Sequence, residues 1–269
     1  MFRFPSKTIR AIRDRAIRSM RREDHGNLDS KRLREEQVLR FKDLGLDWEY
    51  AQEVISRVPS EVGRRDLSEH YSLFASWLYP RSNAEVLEVG TDTGQFAAFL
   101  SALVPEGRVF TIDLPTHDPR YRNASVLGTH NPSHRGSLPS ERATFLKRPN
   151  VTFVEMNSLK LADTNRRFDA IWLDGDHTNP VVTLDISQVL RLLKPGGLLA
   201  VDDIRLPGAV HGTMGYDEAY QALEVLKSSG IINCSLINKR VKVSHQIRTE
   251  QRKYIAVVQR IINDEPFPV

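Results

Sequence analysis

The sequence predicts an α/β fold built on a doubly wound, mostly parallel sheet, which is preceded by a helical N-terminal extension. From residue 85 onward, short apolar runs typical of buried strands alternate with segments of helical periodicity. Glycine-containing turns join strands to helices. The 269 residues are 40% hydrophobic, which is enough for a substantial core, and no apolar run approaches the ~20 residues that span a bilayer.

The N-terminal extension covers residues 1–66, and the α/β domain covers residues 67–269. Apolar residues at helical spacing predict helices in the extension, and Asp47 is suited to cap the third of them. Asp66 is suited to cap the first helix of the α/β domain, which ends before Pro80. The predicted helices of this part lie at 6–20, 31–42, 48–58 and 67–78.

The α/β domain contains seven predicted strands and three further helices. The strands are predicted at 85–89, 108–112, 151–155, 170–173, 198–201, near Cys234 and at 254–259. The helices are predicted at 95–103, 181–193 and 217–228. Two long connections, 114–139 and 204–215, are predicted to be loops over the carboxyl edge of the sheet, where such folds bind ligands.

The formal charge of +4 is the sum of unlike parts. Residues 1–22 carry a net charge of +7 and residues 238–253 carry +5, so the remaining residues sum to −8. The single cysteine, Cys234, excludes an internal disulfide and a cysteine-based zinc site, and it fits a reducing compartment. We therefore expect a cytoplasmic protein.

The basic arm at 1–22 is compatible with several partners. A basic amphipathic helix can bind an anionic membrane surface or glycan peripherally, and an arginine-rich start also resembles an organelle transit peptide. Packing against a second subunit in a homodimer is the third interpretation. The segment 238–253 is either a solvated hairpin loop or a docking site for an anionic partner such as a glycan, a phospholipid surface or RNA.

A glycine turn follows the first strand of the α/β domain. Gly90 and Gly94 let the backbone approach a ligand closely. Asp92 stands where dinucleotide-binding turns have their middle glycine, which disfavours a nicotinamide cofactor. Asp113 ends the second strand and can accept hydrogen bonds from both hydroxyls of a ribose.

With this turn, Asp113 and the Leu193-Lys-Pro-Gly-Gly197 turn before a strand, residues 67–260 resemble the class I S-adenosylmethionine-dependent methyltransferases. The resemblance implies a Rossmann-like, seven-stranded sheet and S-adenosylmethionine as the methyl donor. It places the methionine moiety near Glu88 and the adenine near Asn157 or Ser158. The cofactor-binding residues predicted on this basis are Glu88, Gly90, Thr91, Asp92, Thr93, Gly94, Asp113, Leu114, Asn157, Ser158 and Asp174.

An acidic cluster is predicted at the ends of the fourth and fifth strands. The fourth strand ends in Asp174-Gly-Asp-His177 and the fifth in Asp202-Asp203. In a doubly wound sheet these ends are neighbours, and like charges so close are costly unless a cation neutralises them or a proton is shared. Carboxylate oxygens suit Mg²⁺, Ca²⁺ or Mn²⁺.

The acidic cluster resembles that of the metal-dependent small-molecule O-methyltransferases of the catechol and antibiotic-sugar types. The resemblance implies that Asp174, Asp202 and Asp203 bind a divalent cation, and Mg²⁺ is expected ahead of Ca²⁺ or Mn²⁺. Asp203 stands where the catechol type has an amide side chain. The basic residue of that pattern falls on His177, which with Asp174 is the predicted catalytic pair. His211, in the following loop, is a second candidate base.

The predicted function is therefore metal-assisted O-methylation of a hydroxyl on a small molecule or sugar. An RNA methyltransferase and a non-catalytic docking module of the same fold are the alternatives. The sequence contains neither an Asn-Pro-Pro-Tyr-type nor a cysteine-based catalytic motif, which disfavours nucleic acid as the acceptor. The acceptor itself depends on the two long connections and cannot be read from the motifs.

Overall fold

A computed structural model describes residues 30–62, 68–115, 117–118, 132–208, 217–241 and 252–261, and only the backbone of 132–138. The basic arm at 1–22, the candidate base His211 and the proposed helix cap Asp66 lie outside these ranges. So does most of the basic segment 238–253.

The core of the protein is a seven-stranded sheet in the order β3-β2-β1-β4-β5-β7-β6. Strands β1 to β5 run parallel, and β7 is antiparallel to both β5 and β6. This arrangement confirms the predicted Rossmann-like, mostly parallel sheet. The strands are β1 Glu85–Val89, β2 Arg108–Asp113, β3 Val151–Glu155, β4 Phe168–Leu173, β5 Leu193–Ile204, β6 Ile232–Asn238 and β7 Tyr254–Arg260.

Helices flank the sheet on both faces. The described helices are α1 at 30–43, α2 Trp48–Arg57, α3 His70–Leu78, α4 Gln95–Leu103, α5 Pro132–Phe145, α6 Val181–Leu192 and α7 Glu218–Ser228, with a 3₁₀ helix at Ser158–Asp163. Asp47 caps α2 as predicted, because its side chain accepts a hydrogen bond from the backbone N–H of Tyr50 at 2.9 Å. Within the described ranges, no helix is long and apolar enough to cross a membrane.

The helices of the N-terminal extension pack into the same core as the sheet. Leu33 and Phe41 of α1 and Trp48 of α2 are buried in one cluster with Phe74 and Trp172. A second cluster fills the opposite face of the sheet, beneath α6 and α7. Residues 30–62 are therefore joined to the α/β domain by a continuous core.

Polar contacts also fix α1 to the far edge of the sheet. The side chain of Gln37 donates to the carbonyl of Asn238 at 3.2 Å and accepts from its N–H at 3.0 Å. Both residues are buried. The guanidinium of Arg40 donates to the carbonyl of Leu236. The end of β6 thus takes its position from the extension.

The predicted loop at 114–139 is wrong in its last third, because α5 begins at Pro132 and includes Pro139. Proline is favourable at the first position of a helix, since its missing N–H has no helical partner there. Further along, burial of Phe145 and Arg142 against the rest of the domain outweighs the one backbone donor that Pro139 removes.

We predict that Gln37→Ala destabilises the protein by about 3 kcal/mol, because it leaves a buried N–H and a buried carbonyl of Asn238 without partners. Urea unfolding measures this change. Glu35→Ala on the same helix is the control, because the side chain of Glu35 is 65% exposed and its ion pair with Lys31 spans 3.9 Å. Equal destabilisation by both variants would contradict the prediction.

Candidate active site

The register of the sheet brings the predicted site residues to one edge. Val89 at the end of β1 lies beside Ile112 of β2 and Leu173 of β4, and Leu173 lies beside Val201 of β5. The residues that come directly after Val89, Ile112, Leu173 and Val201 are therefore neighbours. They are the glycine turn, Asp113, Asp174 and the pair Asp202-Asp203.

The glycine turn is held tightly between β2 and β4. Gly90 has φ 99° and donates its N–H to the carbonyl of Ile112 at 2.9 Å. A Cβ atom at Gly90 would lie 2.0 Å from the backbone oxygen of Asp174. Asp92 and Asp203 also adopt left-handed φ values, of 45° and 52°, and such strain in non-glycine residues is concentrated at functional sites.

Glu88 is the last but one residue of β1, and Thr91 belongs to the glycine turn. Both are buried, and the hydroxyl of Thr111 links them: it donates to Glu88 Oε2 at 2.5 Å and lies 2.6 Å from the hydroxyl of Thr91. Burial raises the pKa of Glu88 well above its ordinary value, although the hydrogen bond from Thr111 opposes the shift. Glu88 is thus a buried acid that is held by Thr111 shortly before the glycine turn.

Asp113 joins the turn to α5. Its Oδ2 accepts from Arg142 at 2.5 Å and from the N–H of Asp92 at 3.1 Å, while its Oδ1 accepts from the N–H of Leu114 at 2.8 Å. Arg142 also donates to the carbonyl of Asp92 at 2.6 Å. Burial raises the pKa of Asp113, and the charge of Arg142 partly offsets this shift. Since a carboxylate offers about four acceptor positions, Oδ1 can still accept a further hydrogen bond.

Three other predicted cofactor residues have local structural partners. The side chain of Asn157 accepts from the N–H of Leu159 at 3.0 Å and caps the 3₁₀ helix. The hydroxyl of Thr93 accepts from the N–H of Gln95 at 3.3 Å. Ser158 lies beside the carboxyl of Asp185 on α6, where burial raises the pKa of Asp185 to about 6.

Asp174 and His177 form the predicted catalytic pair. His177 Nε2 lies 3.4 Å from Asp174 Oδ1, and both side chains are about one-third exposed. Partial burial disfavours the charged imidazole, but the hydrogen bond and charge of Asp174 outweigh it and raise the pKa of His177. In return, His177 and Lys239 lower the pKa of Asp174 against the effect of burial. The imidazole therefore binds a proton more strongly than an isolated histidine side chain does.

The carboxylates at the end of β5 bind two lysines. The ammonium of Lys239, which follows β6, lies 2.5 Å from Asp202 Oδ2 and also donates to Asp203 Oδ1. The ammonium of Lys253 donates to Asp203 Oδ2. Asp202 is 2% exposed, and its Oδ1 is buried without a hydrogen-bond partner among the described residues. We refer to Asp174, Asp202, Asp203, Lys239 and Lys253 as the acid–lysine cluster.

The surroundings shift the pKa values of Asp202 and Asp203 in opposite directions. Burial, followed by the charge of Asp174, raises the pKa of Asp202 to about 7. Burial acts the same way on Asp203, but Lys239 and Lys253 overcome it and hold the pKa of Asp203 below its ordinary value. Burial lowers the pKa of Lys239, yet Asp202 and Asp203 reverse the shift and raise it. Lys239 is thus held in its charged form.

The acid–lysine cluster does not fit a divalent cation in the arrangement observed. The oxygens of Asp174, Asp202 and Asp203 are the right donor type, and the structure brings them to one edge as predicted. However, the two ammonium groups already bind three of the four oxygens of Asp202 and Asp203. Among the described residues, no group of three or more His, Cys, Asp or Glu side chains could hold a metal ion.

Sequence reasoning missed Arg142, Lys239 and Lys253. Arg142 lies beyond the predicted loop, and the two lysines belong to the segment 238–253, which we interpreted as solvated or as a docking site. One signal was available, because the predicted acidic cluster is costly unless a cation neutralises it or a proton is shared. Nothing local to the lysines distinguishes them from the other basic residues of their segment.

Known proteins share both the domain type and the fold. Residues 87–204 match a family model described as a methyltransferase domain. Cofactor-bound Rv0187 from MTB is 20% identical, with a TM-score of 0.50 over 78% of this chain and 87% of that one. A Klebsiella pneumoniae protein assigned as an O-methyltransferase is 18% identical, with a TM-score of 0.50 over 79% and 89%. These structures establish the shared fold. The comparison with curated proteins gave no match.

We predict that Gly90→Ala destabilises the protein by about 3 kcal/mol or more, because its Cβ would overlap the backbone of Asp174 at a left-handed φ. Thermal and urea unfolding measure the change. Gly45→Ala is the matched control, since Gly45 has φ 69° but its added methyl group would meet no atom within 4 Å beyond its chain neighbours. There we expect a cost of about 1 kcal/mol, from the backbone conformation alone. Similar losses in both variants would contradict the packing argument.

Proposed function

We propose that this protein, of which residues 87–204 match a methyltransferase-domain model, is an S-adenosylmethionine-dependent O-methyltransferase acting on a hydroxyl of a small molecule or sugar. The observation that carries the proposal is the convergence of the glycine turn, Asp113 and the Asp174–His177 pair at one edge of the sheet. The first two features suit a nucleoside ligand, and the third suits deprotonation of an acceptor.

Several contacts support the binding of S-adenosylmethionine at this edge. Asp113 is fixed by three donors and retains acceptor capacity for ribose hydroxyls. Asp92 in the turn has a left-handed φ of 45° and is exposed, and the buried acid Glu88 comes shortly before the turn. The Klebsiella pneumoniae protein assigned as an O-methyltransferase has the same fold, which is consistent with transfer to oxygen.

The mechanism follows from the pair His177 and Asp174. S-adenosylmethionine supplies an electrophilic methyl group on a sulfonium. His177 would take the proton of the acceptor hydroxyl, which leaves an oxygen that can accept the methyl group the bound donor would supply. Asp174 faces Nε2 of the imidazole at 3.4 Å, and it orients the ring and stabilises the imidazolium.

The metal-assisted form of this reaction, which the sequence predicts, places a further demand on the site. A divalent cation would have to displace Lys239 and Lys253 from Asp202 and Asp203. The function proposed here does not depend on that displacement, because His177 and Asp174 provide the proton transfer.

We predict that Asp113→Ala weakens S-adenosylmethionine binding by about tenfold or more, because a charged acceptor of the ribose hydroxyls is lost. Isothermal titration calorimetry with S-adenosylmethionine measures the affinity. The control is Glu106→Ala, an exposed acid just before β2 at the opposite edge of the sheet, which should bind as the wild type does. Unchanged affinity in Asp113→Ala would remove the ribose assignment.

We predict that His177→Gln lowers methyl transfer by about 10²-fold or more while leaving S-adenosylmethionine affinity unchanged, because only the proton transfer is lost. The acceptor is first identified with a labelled methyl donor over panels of sugars, phenols and RNA, each with Mg²⁺ and with EDTA. Labelling of a sugar or phenol supports the proposal, whereas labelling of RNA alone overturns the acceptor class. Full activity of His177→Gln would exclude His177 as the base.

A further inference from the structure

The acid–lysine cluster differs from a metal site in one respect, because its neutralising cation belongs to the chain. We propose that the ammonium of Lys239 is the resident cation of this cluster and replaces a divalent metal there. This inference rests on the proposed function only in that it names the cation of the same site. Its direct test needs no methyl transfer.

The position of Lys239 supports the proposal. Its ammonium lies 2.5 Å from Asp202 Oδ2 and also donates to Asp203 Oδ1, so it bridges two carboxylates as a metal ion would. The side chain of Lys239 is 13% exposed and that of Asp202 is 3% exposed. A charge so deeply buried is stable only when it is paired, and here each partner compensates the other.

The backbone of Lys239 is held on both sides, so this position is built into the fold. Its N–H donates to the carbonyl of Lys253 at 3.0 Å, and its carbonyl accepts from the N–H of Glu69 at 2.8 Å. The preceding residue, Asn238, is fixed by Gln37 of α1. Three separate segments of the chain therefore converge on the residue that carries the ammonium.

The second lysine makes the entry of a metal less favourable still. Lys253 binds the remaining oxygen of Asp203, so that two positive charges face the two carboxylates of β5. A divalent cation would enter against both charges, and it would have to release at least one buried ammonium from its partners. Asp174 adds a third carboxylate, and its partner is His177 at 3.4 Å.

An ammonium can also take over the contact that a metal would make with the acceptor. It has three N–H donors, and Asp202 and Asp203 use two of them within the described residues. The third can donate to an acceptor oxygen beside the cluster. Lys239 then contributes both positive charge and orientation without the deprotonating power of a bound metal, and the proton passes to His177.

The test is a Mn²⁺ titration of the full-length protein. Calorimetry measures the binding, and thermal unfolding measures the shift of the midpoint. For the wild type we expect no binding at millimolar Mn²⁺ and no change in midpoint with Mn²⁺ or EDTA. Lys239→Met removes the ammonium but keeps much of the side-chain volume. It should lower the midpoint and bind Mn²⁺ at least about tenfold more tightly than the wild type, with partial recovery of the midpoint.

The matched control is Lys194→Met. Lys194 Nζ lies 2.8 Å from Asp169 Oδ2, and this pair does not belong to the acid–lysine cluster. The loss of Lys194 also removes a lysine–aspartate bond but should create no response to Mn²⁺. If Lys239→Met does not fold, Lys253→Met serves in its place, since its side chain is 35% exposed and it also binds Asp203. We expect a smaller gain in Mn²⁺ affinity from it.

Two results of the Mn²⁺ titration would overturn the proposal. One is stoichiometric Mn²⁺ binding by the wild type that Asp203→Asn abolishes, because a metal then displaces the lysines. The other is a folded Lys239→Met protein that binds Mn²⁺ no better than the wild type. Once an acceptor is known, wild-type methyl transfer should be unchanged by EDTA. Loss of methyl transfer in EDTA would also overturn the proposal. Failure of every acceptor to be methylated would instead count against the proposed function and leave the metal titration intact.

Discussion

The pairing of buried carboxylates with Lys239 is the interaction on which the candidate site depends. Two adjacent acids at the end of β5 and a third at the end of β4 would repel one another strongly at a buried edge. At an effective dielectric constant of 20, two unit charges 4 Å apart interact by about 4 kcal/mol, which is a large fraction of the stability of a typical domain. The sheet can bring these acids together only if a cation neutralises them or a proton is shared, and Lys239 supplies such a cation.

This requirement gives the N-terminal helices a role beyond the core. Lys239 follows β6, the edge strand, and neither β4 nor β5 touches β6 directly. Gln37 of α1 holds the residue before Lys239, and the N–H of Glu69, just before α3, holds its carbonyl. The extension therefore helps to position the cation that neutralises these acids, and the two parts of the chain share one core.

In the predicted cofactor site, too, an acid pairs with a basic residue that is distant in the sequence. The acid at the end of β2, Asp113, meets Arg142 from α5, and the same arginine reaches the carbonyl of Asp92 in the glycine turn. One side chain thus joins the predicted ribose acid, the turn after β1 and the helix after β2. A ligand at Asp113 would lie beside this arginine, so α5 would form part of the proposed cofactor site.

The sequence by itself determined the strands, most of the helices and the acidic half of the site. Buried strands such as β1 and β4, and the cap at Asp47, follow from local periodicity and local hydrogen bonding, which a stretch of a few residues contains. Only the tertiary structure decided which cations face the acids. Lys239 is 36 residues from Asp203 and Lys253 is 50 residues from it, so their pairing depends on strand order. For the same reason α5 formed across Pro139, because burial of distant partners outweighed a local signal.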